Sequence, residues 1–239
     1  MARGTTGTPP LGPAIAAVRE RIAAAARSVG RRPEDVLLVG ASKTVPAARL
    51  REALRAGLHH FGENRAQELV SKAADLAGAH PAPVWHFVGR LQRNKVRALA
   101  GHVAWWHSVD RVELGPELAR WAAGARVLVE VNVAGEASKG GCSPAELPGL
   151  VEVLATSGLE VVGLMTIPPR HEDPRPYFAR LRALGERLGL RELSMGMSDD
   201  FEAAVAEGAT IVRVGRAIFG ERPVAGAGGH PPGGAPPLS

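Results

Sequence analysis

Hydrophobic and polar positions alternate along this chain between two periods. Over residues 11–30 apolar side chains recur at near-helical spacing, with Ile15, Val18, Ile22 and Val29 on one face. Pro13 suits a first helical position and Gly30 a C-terminal stop. A short apolar run follows, Val36-Leu37-Leu38-Val39, which leads through Gly40-Ala41-Ser42 to Lys43-Thr44 and Pro46. Such a run reads as a strand buried on both faces. Further strands are predicted over residues 58–62, 84–89, 103–109, 126–133, 161–167, 192–197 and 210–214. Helices are predicted over 46–56, from 63–65 to about 76, over 93–100, 112–123, 144–156, 174–188 and 199–207, with a last one starting at 217–219. Strand and helix thus alternate about eight times over roughly 210 residues, which fits a single-domain α/β protein of the (β/α)8 barrel type better than a doubly wound sheet. A dinucleotide-binding fold would place Gly-x-Gly-x-x-Gly after the first strand, and Gly40-Ala41-Ser42-Lys43 does not supply it. The domain expected is residues 13–222, with a flexible segment at 1–12 and a disordered Gly/Pro-rich tail at 223–239.

Composition narrows the class. Hydrophobic residues make up 45% of the 239, enough for a sizeable core. Cys142 is the only cysteine, so no intramolecular disulfide forms and a reducing compartment is expected. No signal-peptide pattern and no apolar run of membrane-spanning length is visible, so a cytoplasmic protein without a membrane role is expected. The pI near 10.1 accompanies a net charge of only +5, with basic residues scattered among acids and aromatics at 4%. A solvated surface accounts for that pattern, and no nucleic-acid partner is expected. One skew stands out. Only Lys43, Lys72, Lys95 and Lys139 are lysines, and the rest of the 29 basic residues are arginines. A lysine in such a chain hints at chemistry arginine cannot perform.

In a barrel, functional residues gather at the C-terminal ends of the strands. Lys43, Asn64, Gly89, Asn132, Met165, Ser198 and Gly215 fall there. A strand-end lysine can snorkel to water; if partly desolvated, its pKa falls and the neutral amine attacks carbonyls. The run Val212-Arg213-Val214-Gly215-Arg216 turns from strand to helix, and backbone N–H groups at such a turn point at anions. Ser198 fits an N-cap, and the same geometry fits a phosphate donor. Arg213 within a core strand requires a partner; a pyridine nitrogen facing it would stay unprotonated. Asn64 suits helix capping. His86 and His107 read as hydrogen-bonded core histidines, since no metal-ligand spacing is present. Glu136, Ser138 and Lys139 read as a loop ion pair. Strand eight closes on strand one, so two anion-binding turns and a lysine converge, which favours a phosphorylated carbonyl ligand.

Several ordered motifs then resemble one family. They are Ser42-Lys43-Thr44, Phe61-Gly62-Glu63-Asn64-Arg65 with Gln67-Glu68, and Trp85-His86-Phe87-x-Gly89-x-Leu91-Gln92-x-Asn94-Lys95. Val131-Asn132 with Glu136 and Lys139, Gly163-Leu164-Met165-Thr166-Ile167-Pro168-Pro169, Leu193-Ser194-Met195-Gly196-Met197-Ser198, and Val212-Arg213-Val214-Gly215 continue the series. Together they are similar to the pyridoxal phosphate homeostasis proteins over about residues 15–222. The resemblance implies a barrel like the N-terminal domain of alanine racemase, holding pyridoxal 5'-phosphate (PLP) as a Schiff base on Lys43. It implies that Arg213 faces the pyridine nitrogen, that Ser198, Gly215 and Arg216 hold the phosphate, and that Asn64 and Met165 line the ring pocket. The family often carries Thr or Ser where this chain has Arg216, whose N–H still donates. The implied role is PLP supply and vitamin B6 balance without robust catalysis, in a monomer, with PLP-dependent apo-enzymes as recipients.

Two enzyme readings compete. An amino-acid racemase needs a second acid–base group, and the one tyrosine, Tyr177, falls in a predicted helix far from any strand end. A Schiff-base aldolase needs an acid–base partner for Lys43, which the sequence does not name.

Overall fold

The computed structural model describes residues 10–136 and 139–220. Eight parallel strands close on themselves in chain order: β1 (Leu37–Ala41), β2 (His60–Glu63), β3 (Val84–Phe87), β4 (Val103–Val109), β5 (Arg126–Glu130), β6 (Glu160–Met165), β7 (Glu192–Ser194) and β8 (Ile211–Val214). Closure is made by β1 against β8, with Leu37 opposite Ile211 and Val39 opposite Arg213. The residues expected as the tail, 223–239, lie outside the described residues, as do residues 1–9 of the expected N-terminal segment.

Helices α2 (Ala47–Arg55), α3 (Ala66–Asp75), α4 (Val96–Leu99), α5 (Leu114–Trp121), α6 (Leu147–Thr156), α7 (Arg175–Arg187), α8 (Phe201–Ala206) and α9 (Arg216–Phe219) follow the strands in turn. An extra helix, α1 (Leu11–Ser28), precedes the barrel and packs on α8 and α9. Its buried stripe is Leu11, Ile15, Val18, Ile22 and Ala26; Val29, predicted to share that face, is the C-cap and exposed. Gly30 does end the helix, at φ 71°, a conformation only glycine adopts freely.

The apolar residues form two bodies. The larger lies between the sheet and its helices. The smaller fills part of the barrel interior with Val39, Leu128, Met165 and Ile211. Four strands stop two or three residues short of their predicted ends, at Phe87, Glu130, Met165 and Ser194. The apolar signal outlasts the ladder because Val131, Val133 and Met195 stay buried after the chain leaves the sheet. Those departing segments form the mouth of the barrel.

Candidate ligand-binding site

Lys43 lies two residues past β1, half-buried. The backbone on both sides of it is pinned. Ser42 is fully buried and its hydroxyl donates to Glu63 Oε1 at 2.7 Å. Lys72 Nζ, reaching in from α3, donates to the Ser42 carbonyl at 2.7 Å, to Glu63 at 2.6 Å and to Glu68 at 2.7 Å. The N–H of Thr44 donates to Glu68. Thr44 sits at φ 67°, a left-handed conformation costly for a β-branched residue. The Glu68 bond and the Thr44 hydroxyl's bond to the Lys43 carbonyl, 2.6 Å, hold it there. Burial pushes the Glu63 carboxyl up, against the pull of Lys72 and Ser42. At Glu68 burial acts the same way, but the bonds from Lys72 and Thr44 win and hold it below the usual range.

β8 carries Arg213, which is buried. Its Nη1 donates to Ser194 Oγ at 2.6 Å and its Nη2 to the Thr166 carbonyl at 3.1 Å. It makes no ion pair among the described residues. Burial lowers it to about 10, with Glu130 and Asp200 opposing, so it remains a cation at neutral pH. Glu130 is pushed up to about 7, first by burial and then by Asp110, while Arg213 and Arg90 pull it down.

After β8 the N–H groups of Gly215 and Ala217 converge on Ser198 Oγ, at 3.2 and 3.4 Å. A Cβ on Gly215 would stand 3.0 Å from the Ala41 carbonyl, so this turn approaches β1 more closely than a larger residue allows. Ser198 is not the N-cap it resembles in the sequence. That position is Asp200, whose carboxylate accepts from the Met197 N–H at 2.6 Å. The Ser198 hydroxyl is therefore free of the helix and faces the β8 turn. The Arg216 side chain is exposed and ion-pairs with Asp199, while its backbone belongs to the turn.

Lys43, Ser198, Arg213, Gly215 and Arg216 line one cavity of about 910 Å³, completed by the loop after β6. A smaller cavity of about 210 Å³ adjoins it, sharing Lys139 and Ile167 and lined also by Glu130 and Asn132. The other two expected site residues are not in the lining. Met165 is fully buried in the interior cluster. Asn64 is exposed just past β2, and it does not cap α3, whose N-cap is Arg65 with no side-chain bond. Lys139 forms its ion pair with Glu136 at 2.7 Å; Ser138 lies outside the described residues. Tyr177 is nearer the mouth than the sequence suggests, because its hydroxyl donates to Glu172, a cavity residue. Thr166 and Ser194 stand in the sequence only as members of the quoted motifs, with no role given to them, and Glu130 carried no signal: a serine, a threonine and a glutamate near strand ends have ordinary structural uses. No group of side chains able to hold a metal ion occurs among the described residues. No helix among them is long and apolar enough to cross a membrane.

A buried guanidinium with no ion pair among the described residues, a half-buried lysine and a turn rich in N–H donors suit an anionic carbonyl compound; the fold and site define a (β/α)8 barrel with a ligand cavity at its mouth. The sequence profile of the alanine racemase N-terminal domain matches residues 14–223. The Pseudomonas aeruginosa pyridoxal phosphate homeostasis protein is 49% identical over 87% of this chain and 94% of its own. The Aquifex aeolicus protein of that name is 47% identical over 87% and 96%. PipY of Synechococcus elongatus, solved with PLP bound, superposes with a TM-score of 0.74 at 36% identity, over 88% of this chain and all of PipY. The chain belongs to the alanine racemase N-terminal domain family and, within it, to the pyridoxal phosphate homeostasis proteins.

Proposed function

We propose that this protein binds PLP as a Schiff base on Lys43 and serves intracellular vitamin B6 homeostasis and supply. The observation that carries the reading is the convergence of Lys43, Arg213 and the Ser198–Gly215 turn on one cavity. Bound PLP supplies a carbonyl for the amine and an electron-withdrawing ring. The chain's own groups do the rest. The clamp on Ser42 and Thr44 fixes where Lys43 starts. The N–H groups of Gly215 and Arg216 and the Ser198 hydroxyl donate to the phosphate. Arg213 donates to the ring nitrogen, and its fixed charge keeps a proton off that atom, which makes the ring a weak electron sink. Asn64, exposed just past β2, and Met165, buried in the interior cluster, stand outside the cavity lining, and we assign them no contact with the ring.

We read binding rather than turnover. A racemase needs acid–base groups on both faces of the substrate, and Tyr177 is engaged with Glu172. The names of the relatives likewise describe homeostasis and not a reaction. We assign the functional unit to residues 13–222, with 1–12 and 223–239 outside it, in a cytoplasmic monomer that passes PLP to apo-enzymes.

The test is the visible spectrum of the purified chain with PLP. A Schiff-base band that borohydride traps covalently, and that Lys43→Ala lacks, is expected. A wild-type spectrum identical to that of free PLP would end the assignment.

A further inference from the structure

Part of the barrel interior is filled in an unusual way. Closed eight-stranded barrels pack their centre with layers of branched apolar side chains. Here the apolar cluster around Val39 and Leu128 shares the space with a line of polar side chains. His60 Nδ1 of β2 lies 2.9 Å from His86 Nε2 of β3. His86 Nδ1 lies 2.8 Å from His107 Nε2 of β4. His107 Nδ1 lies 2.8 Å from Ser194 Oγ of β7, which accepts from Arg213 at 2.6 Å. His86, His107 and Ser194 are fully buried. The line therefore runs from half-buried His60 through the core to the cation at the cavity.

Its direction can be worked out. Burial pushes His86 down to about 3 and His107 well below its ordinary value, so both are neutral, each with one donor and one acceptor nitrogen. Arg213 only donates. Ser194 Oγ accepts from it, and among the described residues its other partner is His107 Nδ1. The serine hydrogen goes to that nitrogen. His107 then carries its own hydrogen on Nε2 and donates to His86, which by the same logic donates to His60. One cation at one end orders the whole line.

We infer that His107, acting through Ser194, is a positioning residue for Arg213, and that His86 and His60 hold His107 in the tautomer this requires. Arg213 has two anchors, Ser194 and the Thr166 carbonyl, and its remaining N–H groups have no partner among the described residues. With His107 accepting, the serine hydroxyl cannot turn its hydrogen toward the guanidinium. The free N–H groups of Arg213 are then held at the cavity in one orientation. The consequence for PLP rests on the function proposed above; the order of the line does not.

Two arms keep those failures apart. The first uses the full chain without ligand, by nitrogen-15 NMR at pH 7. All three histidines should be neutral with the hydrogen on Nε2. The side-chain hydrogens of Arg213 should be resolved singly, and in Ser194→Ala and His107→Leu they should merge into an average. An Nδ1–H tautomer at His107, or an Arg213 spectrum unchanged in a folded Ser194→Ala chain, overturns the inference. The second arm uses PLP labelled with nitrogen-15 in the ring. Ser194→Ala and His107→Leu should move the ring-nitrogen resonance and weaken PLP binding about tenfold, and His107→Gln, which keeps an acceptor, should recover most of the loss. Unchanged resonance and affinity in a folded Ser194→Ala chain also overturn it. If the wild type binds no PLP, the proposed function falls and the first arm still decides the inference.

Discussion

Lys72 shows how much a single side chain does here. It is buried, and its ammonium is shared among Ser42, Glu63 and Glu68, so Lys43 is positioned by a second lysine it never touches. Lys72→Met leaves Glu63 buried without a counter-charge, which typically costs about 3–5 kcal/mol. Urea unfolding should show a loss of that size, and Lys72→Met combined with Glu63→Leu should recover part of it. Additive losses in the double variant would refute the coupling. The scarcity of lysine in the sequence drew attention to four positions without distinguishing their roles. The contrast between Lys43, which makes no ion pair among the described residues, and Lys72, enclosed by Glu63 and Glu68, depends on α3 carrying Lys72 to the Ser42 carbonyl and to the end of β2. Arg216 is similar: its backbone place in the turn is legible, but its side chain's choice of Asp199 over the cavity is a matter of the facing loop.

At the scale of elements, the eight strand–helix pairs were readable because period and breakers agree along the chain. The ends were not, because burial persists where the ladder stops, as at Val131 and Met195. Two glycines separate the kinds of constraint on these elements. A Cβ on Gly163 of β6 would stand 1.9 Å from the Glu192 carbonyl of β7, so Gly163→Ala must push two paired strands apart. A loss of about 3 kcal/mol or more is expected in urea unfolding. Gly149 in α6 has nothing within 4 Å of such an atom. Gly149→Ala should instead raise stability by about 0.5–1 kcal/mol through helix propensity. Equal effects at the two sites would mean that the close approach of β6 and β7 is not what Gly163 serves.

For the molecule as a whole, buried titratable groups set how stability follows pH. Glu130, raised to about 7 in the folded protein from an ordinary 4.5, holds its proton more tightly folded than unfolded. Its contribution is greatest below about 4.5 and is lost as pH rises through 7. Glu130→Gln should therefore gain on the wild type between those limits, by at most about 3 kcal/mol, read from urea midpoints at the two ends. His86 acts in the opposite sense. Held neutral down to about 3 against an ordinary 6.5, it contributes stability above 6.5 that is lost as pH falls toward 3. Between 6.5 and 4.5 the two groups oppose one another, so the loss should show in the wild-type midpoint from about 4.5 down to 3, where Glu130 is already protonated in both states; a midpoint in that window that is as flat as in a folded His86→Leu chain would contradict the neutral buried line.

The sequence by itself determined the barrel, through the alternation of buried strands and amphipathic helices, and the segments that form its mouth, through lysine, serine and glycine at strand ends. Those signals are local, carried by residues close together in the chain. Only the tertiary structure decided which of them share a cavity, that Asn64 and Met165 lie outside its lining, and that Ser198 faces the β8 turn. It alone joined His60, His86 and His107 to Ser194 and Arg213, residues far apart along the chain. A histidine in a strand has the same local pattern whether it ends at water or at another strand's serine. Closure of the sheet supplies that partner, and no local pattern records it.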